Sequence, residues 1–138
     1  MVISMVKLTE EIKIAFSKVK TFPVATASKD GIPNVVPMGF CLLMDDETIW
    51  LADNFMVKSL ANLKENPHVA IYVWGSDTGG CFQIKGKADV ISTGEKFEKM
   101  RSMVHAINPG APAKTLIEVK ISEVFQCSPG PDAGKKLL

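Results

Sequence analysis

Arginine is almost missing from this chain. Arg101 is the only one, and the 16 basic residues face 15 acidic ones for a formal net charge of +1. No overall field would gather phosphodiester backbone or an anionic membrane surface, so neither nucleic acid nor a membrane is expected as a partner. Histidine occurs twice, as His68 at a strand start and His105 on a helix, which leaves no base to orient beside a nucleophile. The three cysteines, Cys41, Cys81 and Cys127, are odd in number and never spaced CxxC, which argues against a disulfide framework and a zinc site. No apolar run approaches the ~18 residues of a membrane helix. Lys7, Glu10 and Glu11 interrupt the first apolar stretch before a signal-peptide core can form. A reducing cytoplasm is the expected compartment.

Other catalytic signatures are absent too. Gly79-Gly80 lies in a loop that enters a strand rather than a helix, so it is neither a dinucleotide fingerprint nor a phosphate loop. Asp45-Asp46-Glu47 reads as a solvated hairpin tip rather than a catalytic carboxylate pair. With no side-chain catalyst in view, an enzyme of this sequence would need a cofactor to carry its reaction.

What is present is an ordinary globular balance, 46% hydrophobic and 22% charged over 138 residues, sufficient for one domain over 1–138. Thr9 caps an amphipathic helix with Glu10 and Glu11 in its first turn and Ile12, Phe16 and Val19 on one face, ending near Lys20. Strands are expected over 22–28, 34–43, 48–52, 68–74, 81–91 and 115–127, and helices over 57–65 and from 93–94 to 107. Pro33 and Pro37 cannot donate to a ladder, so the second strand is expected to be an edge, or bulged, near its start. In the fifth strand, Phe82, Ile84, Gly86, Ala88 and Val90 alternate with Gln83, Lys85, Lys87 and Asp89, a half-buried pattern. Residues 128–138 have no apolar period and are expected to be loosely ordered. About six short strands with tight turns predict a closed or nearly closed antiparallel barrel with three peripheral helices.

One constellation carries chemistry. Leu51-Ala52-Asp53-Asn54 ends a strand and Lys58-Ser59-Leu60-Ala61-Asn62 opens a helix. A helix N-terminus with a lysine and a hydroxyl beside it forms an anion site. Thr-x-Pro-Val-Ala-Thr at 21–26 and Asp30-Gly31-x-Pro33-Asn34-Val35-Val36-Pro37-Met38 precede it. Lys58-Ser59-x-x-Asn62-x-x-x-Asn66-Pro67-x-Val69-Ala70 and Phe82-x-Ile84-x-Gly86-x-Ala88 complete the order. Together these motifs resemble the pyridoxamine 5′-phosphate oxidase-like FMN-binding split-barrel family, in particular its short FMN-binding members, over about residues 9–127.

The resemblance implies a six-stranded Greek-key split β-barrel that forms a homodimer, with one FMN in each of two interface grooves. Lys58 and Ser59 would hold the phosphate, supported by Asn62. Asn34, Val35, Val36, Pro37 and Met38 would line the ring and ribityl chain, facing Leu51, Ala52, Asp53 and Asn54. Cys81 and Phe82 would meet the flavin from the partner subunit, with Trp74 nearby. The match departs from the true oxidases, which use arginines for their substrate's phosphate and carry an arginine-rich C-terminal segment. Pyridoxamine 5′-phosphate oxidase activity is therefore not expected. The expectation is an FMN-dependent oxidoreductase acting on a small substrate. The alternatives are a non-catalytic flavin carrier or one-electron transfer protein, and, third, a haem or deazaflavin protein.

Overall fold

The computed structural model describes residues 6–138. Its elements are α1 (Glu10–Ser17), β1 (Phe22–Ala27), β2 (Pro33–Met38), β3 (Cys41–Asp45), β4 (Thr48–Asp53), α2 (Lys58–Glu65), β5 (His68–Val73), β6 (Phe82–Ile91), α3 (Glu95–Ile107) and β7 (Thr115–Gln126). The strands form one sheet in the order β2-β1-β5-β6-β7-β4-β3, and every neighbouring pair is antiparallel.

Topology forces this sheet to curl. β2 and β3 lie at its opposite edges, yet only Gly39 and Phe40 separate them in the chain. The step from Met38 to Cys41 spans at most ~11 Å, so the two edges must come together. No ladder joins them, and the result is a barrel split along one seam. The sequence predicts a single strand over 34–43 and six strands in all. The chain instead breaks at Gly39-Phe40 and makes seven. A continuous apolar run hid the break, because hydrophobicity does not reveal which edge of a sheet a strand serves. The edge position expected from Pro33 and Pro37 is where β2 lies.

The barrel interior is filled by Val24, Ile49, Leu51, Ile71, Val73, Ile84, Ile117, Val119 and Val124. α1 closes one part of it with Ile12 and Phe16, whose ring lies 4.6 Å from that of Phe22. Thr9 Oγ1 accepts the Ile12 N–H at 3.4 Å as the expected cap, and the helix ends at Ser17, short of Lys20. β4 is buried on both faces. Its alternate residues Trp50 and Ala52 face outward, against Phe97, Met100 and Val104 of α3. β6 shows the expected alternation of buried and exposed residues. At Gly86, beside a register shift in the β6–β7 ladder, a Cβ would stand 2.5 Å from the Lys120 carbonyl oxygen, so glycine is required for the two strands to meet.

The final segment, expected to be loose, is tied to β7. Leu137 N–H donates to Val124 O at 2.7 Å, Gln126 N–H donates to Lys135 O at 2.8 Å, and Leu138 packs against the core. Among the described residues no helix is long and apolar enough to cross a membrane.

Candidate functional site

α2 begins without a cap. Val57 occupies the N-cap and offers no acceptor, the first turn holds no acidic residue, and the first helical residue is Lys58. The leading amides thus keep free donors and a partial positive charge. Lys58 forms no ion pair among the described residues. Ser59 Oγ accepts the Asn34 side-chain N–H at 3.1 Å, which leaves its own proton for an anion. Farther along, Asn62 Nδ2 donates to Thr26 Oγ1 at 3.0 Å and Asn66 Nδ2 to Ser28 O at 3.2 Å. These two bonds fix the helix against β1 and so aim its N-terminus.

That N-terminus opens onto a groove of ≈ 320 Å³ running along the seam, within the size range of small-ligand sites. Val36, Pro37 and Met38 of β2 form one wall, continued by Gly39 and Phe40, and Ala52 and Asn54 form the other. Phe55, Met56 and Val57 bridge the walls beneath Lys58 and Ser59. Because β2 is an edge strand, its amides that point away from β1 have no ladder partner, and Pro33 and Pro37 have no N–H to offer. A smaller hollow of ≈ 280 Å³ lies on the other side of Lys58, lined by Asn34 and Asn62. Among the described residues, Lys58 is the one titratable residue lining this groove.

The expected residues divide by position. Val36, Pro37, Met38, Ala52, Asn54, Lys58 and Ser59 line the groove, and Asn34 and Asn62 line the adjoining hollow. Val35 points outward and is exposed. Leu51 is fully buried in the interior. Asp53 is fully buried too, with Oδ1 accepting the Met56 N–H at 2.9 Å and Lys114 Nζ 3.9 Å away. Leu51 and Asp53 thus support the wall from behind: strand alternation lets only every second residue of 51–54 face the groove. Phe82 is buried in the core, Cys81 is bonded to Tyr72 at the start of β6, and Trp74 is exposed beyond the end of β5. None of these three lines the groove of their own chain.

Sequence reasoning missed Phe55, Met56 and Val57, and with them Phe40. Phe55 is 82% exposed and Val57 79% exposed. Three consecutive apolar residues in a connection between a strand and a helix were the available signal, since such loops are normally polar.

A family model described as pyridoxamine 5′-phosphate oxidase matches residues 8–128. The chain belongs to the pyridoxamine 5′-phosphate oxidase family. It is similar to an uncharacterized protein of Methanocaldococcus jannaschii, 39% identical across 96% of this chain and 89% of that one. Among solved structures it resembles HupZ of Group A Streptococcus (TM-score 0.78, 23% identity, 92% and 99% of the two chains). It also resembles an FMN-binding protein from Syntrophomonas wolfei (TM-score 0.73, 18% identity, 86% and 84%). A third is the heme storage protein HutZ from Vibrio cholerae (TM-score 0.66, 18% identity, 87% and 94%). At these identities the structural likenesses establish the oxidase-family fold, the split barrel that the motifs resemble, and no more.

Proposed function

We propose that this protein binds FMN in the seam groove and uses it for hydride or electron transfer with a small partner molecule. The observation that carries this reading is the uncapped, acid-free N-terminus of α2, with Lys58 and Ser59 at the mouth of an apolar groove. A phosphate there would receive backbone N–H donors, an ammonium and a hydroxyl. The walls from Val36 to Phe40 and at Ala52 and Asn54 suit a flat ring, and the unpaired edge amides of β2 suit its polar rim. Phe55 extends the apolar surface available to it. FMN supplies the redox chemistry when bound; the chain's residues anchor, orient and shield it.

The alternative is a flavin carrier or one-electron transfer protein, which suits a groove where, among the described residues, Lys58 alone is an acid or base. Arg101, the sole arginine, lies on α3 with its guanidinium 5.8 Å from the Phe97 ring, so it is not available as a substrate-phosphate clamp. Oxidation of pyridoxamine 5′-phosphate is accordingly not proposed. A homodimer is proposed as well, because Val35, Tyr72 and Trp74 expose apolar surface on one side of the sheet. A cytoplasmic location fits the unpaired cysteines.

The test is a titration of purified protein with FMN, followed by quenching of flavin fluorescence and by the visible band, alongside Lys58→Ala. Micromolar or tighter binding that weakens in the variant supports the reading. No flavin binding, or a haem spectrum taken up in its place with Lys58→Ala unaffected, overturns it. For the bound protein, rapid turnover of NADH or NADPH would favour the oxidoreductase over the carrier.

A further inference from the structure

Outside the groove, three side chains with exchangeable protons meet where β6 starts and β7 ends. Phe82 pairs with Gln126, so Cys81 and Cys127 are the next residues opposite one another, and the Cys127 N–H donates to Cys81 O at 2.8 Å. Directly opposed residues project from the same face of a ladder. Opposed residues of antiparallel strands have Cα atoms about 4.5–5.5 Å apart, inside the range of about 4.4–6.8 Å that a disulfide spans. The Cys81 thiol donates to Tyr72 Oη at 3.0 Å, and the Cys81 N–H donates to Ser128 Oγ at 3.0 Å. Cys81 is buried and Cys127 is partly exposed. Burial raises the Cys127 thiol, and the neighbouring Cys81 raises it further; its Sγ lies 4.0 Å from the Phe125 carbonyl oxygen.

We propose that Cys81 and Cys127 are a redox-active dithiol that a hydroperoxide closes into a cross-strand disulfide. The sulfur of the partly exposed Cys127 attacks a peroxide oxygen and the O–O bond breaks. One water leaves, and Cys127 becomes a sulfenic acid. The Cys81 sulfur then attacks the Cys127 sulfur, the S–O bond breaks, and a second water departs. Two thiols lose two electrons, hydrogen peroxide becomes two waters, and both thiol protons end in those waters. In a reducing compartment such a bond serves sensing rather than structure. Cys41 is buried on a different strand, β3, with no cysteine opposite it, which keeps it a bystander.

The test treats the full chain with stoichiometric hydrogen peroxide, alkylates it under denaturing conditions and maps the peptides by mass spectrometry. The expected product is a Cys81–Cys127 cross-link two hydrogens lighter than the thiols, with Cys41 alkylated, the bond reversed by dithiothreitol, lost in Cys127→Ser and kept in Cys41→Ser. Tyr72, the only tyrosine, gives a second readout. Its bond with Cys81, the largest influence, together with burial and the charge of the two cysteines, pushes its hydroxyl up to about 12. Closing the disulfide removes both thiols, so its ultraviolet titration should fall toward the ordinary value of about 10. Sulfinic acid at Cys127 with Cys81 still free, disulfides joining two chains, or thiols untouched by peroxide would each overturn the proposal.

Discussion

α1 and α2 are both eight residues long, and they begin in opposite ways. α1 starts with Thr9 as a hydrogen-bonding cap and Glu10 and Glu11 in its first turn, so its own chain satisfies the helix end. α2 starts with Val57, which cannot cap, followed by Lys58, whose charge opposes the dipole. A missing cap costs about 1 kcal/mol, and a misplaced charge about 0.3–1 kcal/mol more. A helix end left unsatisfied beside an apolar groove is a place where a bound anion supplies the missing acceptor. One terminus serves the fold and the other is the one proposed to serve a ligand, and departures from local rules concentrate at functional sites.

The sharpest way to break this contrast is to give α2 the acid that α1 has. Lys58→Glu removes the cation and places a carboxylate where the phosphate is proposed to sit. FMN affinity should fall by about 100-fold or more, as expected for losing a charge-assisted bond worth about 1.5–3 kcal/mol and adding repulsion. The ligand-free protein should meanwhile become slightly more stable, by about 0.3–1 kcal/mol, because the dipole is now complemented. Fluorescence titration and urea unfolding read the two effects separately. A variant that loses both affinity and stability would make Lys58 a structural residue and dissolve the contrast.

A gentler version restores only the cap. Val57 is exposed, so replacing it forfeits little packing. Val57→Asp should stabilise the ligand-free protein by about 1 kcal/mol. It should also weaken FMN binding about tenfold, since the new carboxylate occupies amides that the phosphate would use. Stabilisation without any loss of affinity would place the phosphate elsewhere.

How far the sequence announces all this differs between the same two regions. The α1 cap is written in neighbouring residues and was legible in full, as was the alternation of β6, because both depend on local spacing. The placing of Lys58 and Ser59 together at a helix start was legible for the same reason. The groove facing them was only half legible. Its β2 wall depends on a break at Gly39-Phe40 that exists because β2 and β3 serve opposite edges of the sheet. The opposite wall was predicted as a block of four residues, and strand alternation turns Leu51 and Asp53 away from it. Phe55 and Met56 lie in the connection between the two motifs and Val57 at the start of the expected helix 57–65, where local spacing carries no sign of the groove they line. Cys81 and Cys127 come together only through the β6–β7 register, which no local pattern encodes.

The reciprocal experiment is Thr9→Ala, which should cost about 1 kcal/mol of stability with FMN affinity unchanged. Urea midpoints and the same titration check it. A change in FMN affinity would show that α1 is coupled to the groove, and the division of labour between the helices would fail.

The smallest effect expected comes from another satisfied site, the buried Glu118 beneath α3. Burial alone would raise this carboxyl. The Trp50 Nε1–H at 3.0 Å and Lys96 Nζ at 3.1 Å, joined by the charge of Lys120, outweigh burial and hold it below its ordinary value. A folded-state value below the unfolded one means stability that is present above the unfolded value and lost as pH falls through the folded one. Glu118→Gln keeps an oxygen for Trp50 but surrenders the ion pairs, so it should cost only about 0.5 kcal/mol at neutral pH. That difference should shrink as pH drops below the ordinary glutamate value of about 4.3. Urea unfolding of both proteins across this range measures it. A difference independent of pH would mean that Glu118 acts as a neutral packing group, and that charge satisfied by the chain itself matters at α1 but not beneath α3.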